Sequence, residues 1–205
     1  RELQQKPQAN LVYSDEDKIS DNGMRSCPHF KPAFYIDLLL SYNFISHLGV
    51  YRREILKEIG GFRVGFEGSQ DHDLALRTVL ESSPDQIIHI PRVLYHWRAH
   101  SESTASNPDS KDYTTESGHK AVQHFLDEQH RRGGVRATAR IKARNRFTCQ
   151  WHTPEKSPSV ELIIPTRDQA EVLNLAVDSI IAKTTYTNYT ITLVDNQSQE
   201  VATKN

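Results

Sequence analysis

The stretch Leu11–Gly23, "LVYSDEDKISDNG", places four acids within seven residues directly behind an apolar start. Leu11-Val12-Tyr13 reads as a short buried strand running into Ser14-Asp15-Glu16-Asp17, with Asp21-Asn22-Gly23 as a turn beyond. A strand end that brings two or three carboxylates to one point offers the oxygen ligands that hard divalent cations take. The same letters also describe a solvated acidic loop, and an isolated D-x-D spacing is too short a motif to decide between the two.

Downstream, Pro28 and Pro32 bracket an extended segment, and Asp37-Leu38-Leu39-Leu40 predicts a short helical turn. "GVYRREILKEIGGF" predicts a helix with Ile55, Leu56 and Ile59 on one face, stopped by Gly60-Gly61. In "EGSQDHDLALRTVLESS", Ser69 is placed as an N-cap, Asp71 and Asp73 sit in the first turn, and Leu76, Val79 and Leu80 form the apolar stripe. Gln86–Trp97 is β-rich and split by Pro91; Tyr95 and Trp97 read as core aromatics. Ser101–Asp112 is a polar loop, and Ser117–Arg132 predicts a helix closed by Gly133-Gly134.

In "VRATARIKARNRFTCQW", Arg136, Arg140, Lys142, Arg144 and Arg146 alternate with apolar residues, the pattern of a half-buried hairpin with a basic outer face. Lysine and arginine on such an edge guard against strand addition by other chains. A Pro/Ser/charge stretch at 151–159 reads as a linker between a first domain, 1–150, and a second, 160–205. Behind it, "VELIIPTRD", "QAEVLNLAVDSIIAK" and "YTITLVDNQS" form strand, helix and strand: a βαβ unit with parallel strands.

The chain has 205 residues, with Lys plus Arg 25 against Asp plus Glu 26. That balance provides no global steering toward nucleic acid or an anionic membrane. Cys27 and Cys149 match no zinc spacing or disulfide framework, and a reducing cytoplasm is the default expectation. No apolar run approaches the length of a membrane span. The polar start without Met and the break soon after the last strand suggest a piece of a longer protein.

Taken in order, "YSDEDKI", "SHLGVYRREILKEIGGFRVGFEGSQDHDLALR" and "YHWRAHSESTA" resemble the C-terminal half of a family 2 glycosyltransferase of GT-A fold, nearest to those of bacterial cell-surface polysaccharide and O-antigen assembly. Residues 160–198 resemble the start of a second such domain. The implied fold is α/β: a GT-A-like, Rossmann-related mixed sheet with flanking helices, truncated, followed by the βαβ segment of another GT-A-like domain.

By that resemblance, Asp15 and Asp17 would hold Mn²⁺ or Mg²⁺ against the diphosphate of a nucleotide-sugar donor, with His96 completing the metal shell. Arg98 and His100 would contact the diphosphate, and Thr166 and Asp195 would serve donor binding in the second segment. Asp71 would be the general base that deprotonates a glycan or lipid-linked glycan acceptor, giving inversion. Asp73 reads as structural, and Gln70 stands where many relatives have Glu. The parent protein is expected to work in the cytoplasm, with peripheral association at the inner membrane face. Two other classes compete: a sugar- or nucleotide-binding module without catalysis, and a metal-dependent hydrolase.

Overall fold

The computed structural model describes residues 2–98 and 112–204. The loop read at Ser101–Asp112 lies outside them except for its last residue. The chain divides into two units, Arg1–His152 and Thr153–Asn205.

The first unit is a mixed α/β layer structure. A short helix α1 (Glu2–Gln5) precedes the central strand β1 (Leu11–Ile19), which turns back into β2 (Arg25–His29). The turn forms where Asp21-Asn22-Gly23 predicts it: Gly23 takes φ 82°, its N–H donates to the Ser20 carbonyl at 2.9 Å, and Ser20 N–H pairs with Met24 O at 3.0 Å. Helix α2 (Ile36–Ser41), strand β3 (Gly49–Tyr51), helices α3 (Arg53–Glu58) and α4 (Gln70–Leu80), and strand β4 (Ile87–Arg98) follow. The unit closes with the long helix α5 (Asp112–Arg131) and the hairpin β5 (Ala137–Ala143) and β6 (Arg146–Trp151).

β1 pairs along one side with β4 in parallel, and along the other with antiparallel β3 and then antiparallel β2. The result is a mixed sheet with helices on its flank. On that flank Leu11 and Tyr13 meet Leu39, Leu40 and Phe44 around α2, Ala75 and Leu76 of α4, and Val122, Phe125 and Leu126 of α5. Ala9, Val12 and Ile88 form a smaller cluster.

Several expectations need correction. The acidic run is not a loop: β1 continues through Asp15, Glu16 and Asp17, all of them buried. Strand continuation is tolerable because every carboxylate finds donors, as described below. Gly49–Tyr51 is a strand rather than the start of the following helix, because its backbone pairs with Leu11–Tyr13. Helix α5 begins at Asp112, five residues before the expected start. Ser69 precedes α4 but does not cap it; its hydroxyl donates to Thr114 O at 2.7 Å and ties α4 to α5. Pro91 does not divide β4 into two strands. The ladder jumps instead from Ser14↔Ile90 to Asp15↔Val93, so the residue without an N–H falls in a bulge.

The basic hairpin forms as expected, with Ala137, Ala139 and Phe147 inward. Phe147 is its anchor: a Cβ on Gly118 of α5 would lie 2.7 Å from the Phe147 ring, and the ring stacks on His72 of α4 at 6.1 Å. α5 therefore needs glycine at that crossing.

In the second unit β7 (Val160–Thr166) and β8 (Tyr189–Asp195) are parallel and joined by α6 (Ala170–Lys183), with a final turn α7 (Val201–Lys204). Ile163, Val172, Leu175, Ile181 and Leu193 of this unit are exposed.

Phe147→Ala should destabilise the first unit by about 3–5 kcal/mol in urea unfolding, the range for removing a buried aromatic ring. Lys142→Ala, on the exposed face of the same hairpin, should shift the midpoint by no more than about 0.5 kcal/mol.

Candidate functional site

Alternation along β1 sends Asp15 and Asp17 away from Glu16, and each carboxylate is met by a different neighbour. Asp17 Oδ1 lies 2.5 Å from His96 Nδ1, its register partner on β4, and Asp17 Oδ2 accepts from Arg25 Nε at 2.6 Å. Burial pushes the Asp17 carboxyl up, but hydrogen bonds from His96 and Arg25 outweigh it and hold the group below the usual carboxylate range. Asp15 Oδ1 accepts from the Lys31 backbone N–H at 3.0 Å and lies 2.8 Å from His89 Nε2. Glu16 meets His47 Nδ1 at 2.9 Å and His29 Nδ1 at 3.4 Å, with Lys31 Nζ at 4.0 Å. Burial raises Glu16, and these partners bring it back below its ordinary value. The fully buried Lys31 ammonium donates to the carbonyls of Ile45 and His47, and burial pulls its pKa down.

Asp17 and His96 are thus brought together, while Asp15 is committed to β2's exit and to His89. Arg98 ends β4 opposite Ile19 and is exposed. His100 lies outside the described residues. Tyr95 and Trp97 are not core aromatics: they are half-buried and flank the His47 ring, Tyr95 stacked at 4.8 Å and Trp97 tilted at 5.4 Å.

No group of three or more His, Cys, Asp or Glu side chains among the described residues is arranged to hold a metal ion. Of the residues expected to hold a metal, Asp17 and His96 lie in direct contact, and the second Asp17 oxygen is met by Arg25. Asp15 meets a separate pair of donors, the Lys31 backbone N–H and His89.

Asp71 and Asp73 separate cleanly. Asp73 is buried between Arg63 and Arg77; Arg77 Nε donates to it at 2.9 Å and carries on to the carbonyls of Ile59 and Gly61. That acid locks the Gly60–Gly61 turn onto α4. Asp71 is exposed in the first turn of α4, where Asn43 Nδ2 donates to Oδ2 at 2.9 Å and the His72 N–H to Oδ1 at 2.9 Å. It opens onto a cavity of about 290 Å³ lined by Tyr42, Asn43, Ser46, Ser69, Arg144 and Arg146 among others. Beneath it His72 is buried, and burial pushes its imidazole pKa down. Its Nε2 lies 2.7 Å from Leu39 O, so the neutral ring carries its proton there.

In the second unit, Thr166 and Asp195 end their strands in register. Asp195 Oδ1 accepts from Ser198 N–H at 3.1 Å, and Asp168 Oδ1 accepts from Gln199 N–H and Glu200 N–H at 2.7 and 2.8 Å. Both acids therefore brace the loop beyond β8.

Sequence reasoning missed Arg25, His29, Lys31, His47, His89 and Asn43. The turn at Asp21-Asn22-Gly23 carried a signal for two of them, since folding the hairpin about it sets Arg25 and His29 opposite the acidic strand. The others arrive through loops or through β4, whose register only the folded sheet defines.

No family model matches the chain. It is similar to the uncharacterized protein y4gI of Sinorhizobium fredii (strain NBRC 101917 / NGR234), 41% identical over 202 residues, which make up 96% of this chain and 21% of that protein. It is also similar to the O-antigen biosynthesis protein RfbC of Myxococcus xanthus, 38% identical over 192 residues, 94% of this chain and 14% of that protein. The chain therefore spans about a fifth or less of the length of these relatives.

Substitution separates the two acids of α4. Asp73→Asn leaves two guanidinium groups without their carboxylate and should cost about 3 kcal/mol or more in urea unfolding, whereas exposed Asp71→Asn should cost about 1 kcal/mol or less. Acid should also weaken the fold in two stages. Unfolded histidine binds a proton near pH 6.5 while native His72 resists it, so stability should begin to fall below about pH 6.5. Asp17 and Glu16, held low in the native state, support the fold above about pH 4, and that support is lost as pH falls through their native values. Thermal unfolding followed against pH should show a smaller first decline and an unchanged second one in His72→Gln, the remainder of the first coming from His124, which burial and Arg63 also hold below its ordinary value.

Proposed function

We propose that this chain is part of an inverting, divalent-cation-dependent glycosyltransferase. It would move a sugar from a nucleotide-sugar donor to a glycan or lipid-linked glycan acceptor in cell-surface polysaccharide synthesis. The observation that carries the reading is the pairing of Asp17 with His96 across β1 and β4, in the same unit as an exposed, positioned Asp71 that opens onto a cavity. Similarity to an O-antigen biosynthesis protein over 94% of the chain supports polysaccharide synthesis as the setting.

The residues divide the work as follows. Asp17 and His96 would hold Mn²⁺ or Mg²⁺, which when bound neutralises charge on the departing nucleoside diphosphate. The Asp17–His96 contact sets the two groups facing one another, and Arg25 on the second Asp17 oxygen fixes the carboxylate's orientation. Asp15, anchored by Lys31 N–H and His89, keeps β1 seated beside β4. Arg98, with His100, would meet the diphosphate oxygens. Asp71, oriented by Asn43, would take the acceptor hydroxyl proton as that oxygen bonds to the anomeric carbon. The bond from that carbon to the diphosphate oxygen breaks, its electron pair leaves with the diphosphate, and configuration inverts. Thr166 and Asp195 would play the donor-side part in the second unit. No helix among the described residues is long and apolar enough to cross a membrane.

Calorimetry with UDP and dTDP tests this directly. Binding should require Mn²⁺, vanish in Asp17→Ala, weaken about tenfold or more in His96→Ala, and persist in Asp71→Asn. Metal-independent binding, or binding unchanged in Asp17→Ala, would overturn the reading.

A further inference from the structure

The basic hairpin has a use beyond guarding an edge. Its turn, Arg144-Asn145, is pinned against the first turn of α5: Asn145 N–H donates to Thr115 Oγ1 at 3.2 Å, and the hydroxyls of Thr114 and Thr115 donate to Asn145 Oδ1 at 3.2 and 3.3 Å. Asn145 takes φ 50°, a conformation asparagine tolerates better than most residues, so the turn residue suits the clamp. On either side of it, Arg144 and Arg146 line the same cavity as Asp71. The Arg146 guanidinium lies over the Tyr42 ring, 3.8 Å from its centroid, which holds the group flat at the cavity wall. Among the described residues, no ion pair involves Arg144 or Arg146.

The cavity lining therefore carries two cations and one acid, Asp71. The diphosphate-side candidates Asp15, Asp17, His96 and Arg98 contribute nothing to it. What enters is accordingly the partner whose hydroxyl faces Asp71, and it meets a surplus of positive charge in the planar form that pairs two-pronged with carboxylates and phosphates. We propose that the cavity takes the acceptor sugar and that this acceptor is anionic, with a carboxylate or phosphate ester held by Arg144 and Arg146 while Asp71 addresses its hydroxyl. The inference rests on Asp71 as the base of sugar transfer and adds the charge class of the acceptor.

The test titrates the ¹⁵N-labelled chain with methyl α-glucoside, methyl α-glucuronide and glucose 6-phosphate, without metal or nucleotide. At least one anionic sugar should bind about tenfold or more tighter than the neutral one, shifting the amides of Gly68 and Asn145. Whichever anion wins tells carboxylate from phosphate. The double variant Arg144→Gln/Arg146→Gln, altered only at exposed side chains, should bind all three alike, and Lys142→Gln on the same hairpin should keep the preference. Equal binding of neutral and anionic sugars, no binding of either anion, or a preference that survives the double variant would each overturn the proposal. So would inorganic diphosphate binding these residues about tenfold tighter than both anionic sugars, because the arginines would then serve the leaving group. These titrations read residues separate from the Mn²⁺–UDP experiment. Failure there removes the transfer reading, whereas failure here removes only the acceptor's charge.

Discussion

Three consecutive carboxylates buried in a central strand govern the first unit. Taking an ion out of water costs several kcal/mol unless a partner meets it, so Asp15, Glu16 and Asp17 can lie in β1 only if the surrounding elements supply donors. β2 supplies Arg25 and His29, the segment after it Lys31, the loop before β3 His47, and β4 His89 and His96. These links connect elements that apolar contact alone joins less specifically, and they fix register as well as charge. Lys31 shows the economy of the arrangement. Its backbone N–H serves Asp15, while its ammonium lies near Glu16 and gathers the carbonyls of Ile45 and His47.

What the sequence disclosed follows from how local each feature is. The turn at Asp21-Asn22-Gly23, the stop at Gly60-Gly61, the alternating hairpin and the βαβ unit all depend on residues close in sequence, and all are present. The sequence left the acidic run open between a strand end and a solvated loop, because the charges that compensate it within β1 come from distant segments. The position of Asp73 in a helix's first turn suggested a dipole role. Its actual role, joining Arg63 and Arg77, depends on a turn ten residues earlier. For the candidate site, Asp17, His96 and Asp71 were nameable from the chain. The clamp of Asn145 on α5, which aims two arginines at Asp71's cavity, was not, because alternation predicts which hairpin face is basic and says nothing of what that face approaches.

The second unit illustrates the opposite economy. Its strand ends are well ordered by Asp168, Asp195 and Ser198, yet α6 has no buried side chain, and two strands give little surface on which to bury one. Its order is concentrated in hydrogen bonds at the loops where a ligand-binding crevice forms in parallel α/β sheets.

The bulge at Pro91 has a consequence for how such a protein can change over generations. Before it, Ile87 and Ile88 are packed in the interior; after it, Val93–Arg98 run beside the acidic half of β1. Because β4 takes up three extra residues against β1 between Ser14 and Glu16, the two halves of the strand keep separate alignments. Insertions, deletions or bulky replacements in the outer half can be absorbed at the irregularity without sliding the inner half out of place. One strand thus joins an apolar segment packed in the interior to a polar one whose alignment answers to the acidic residues beside it, with His96 held opposite Asp17.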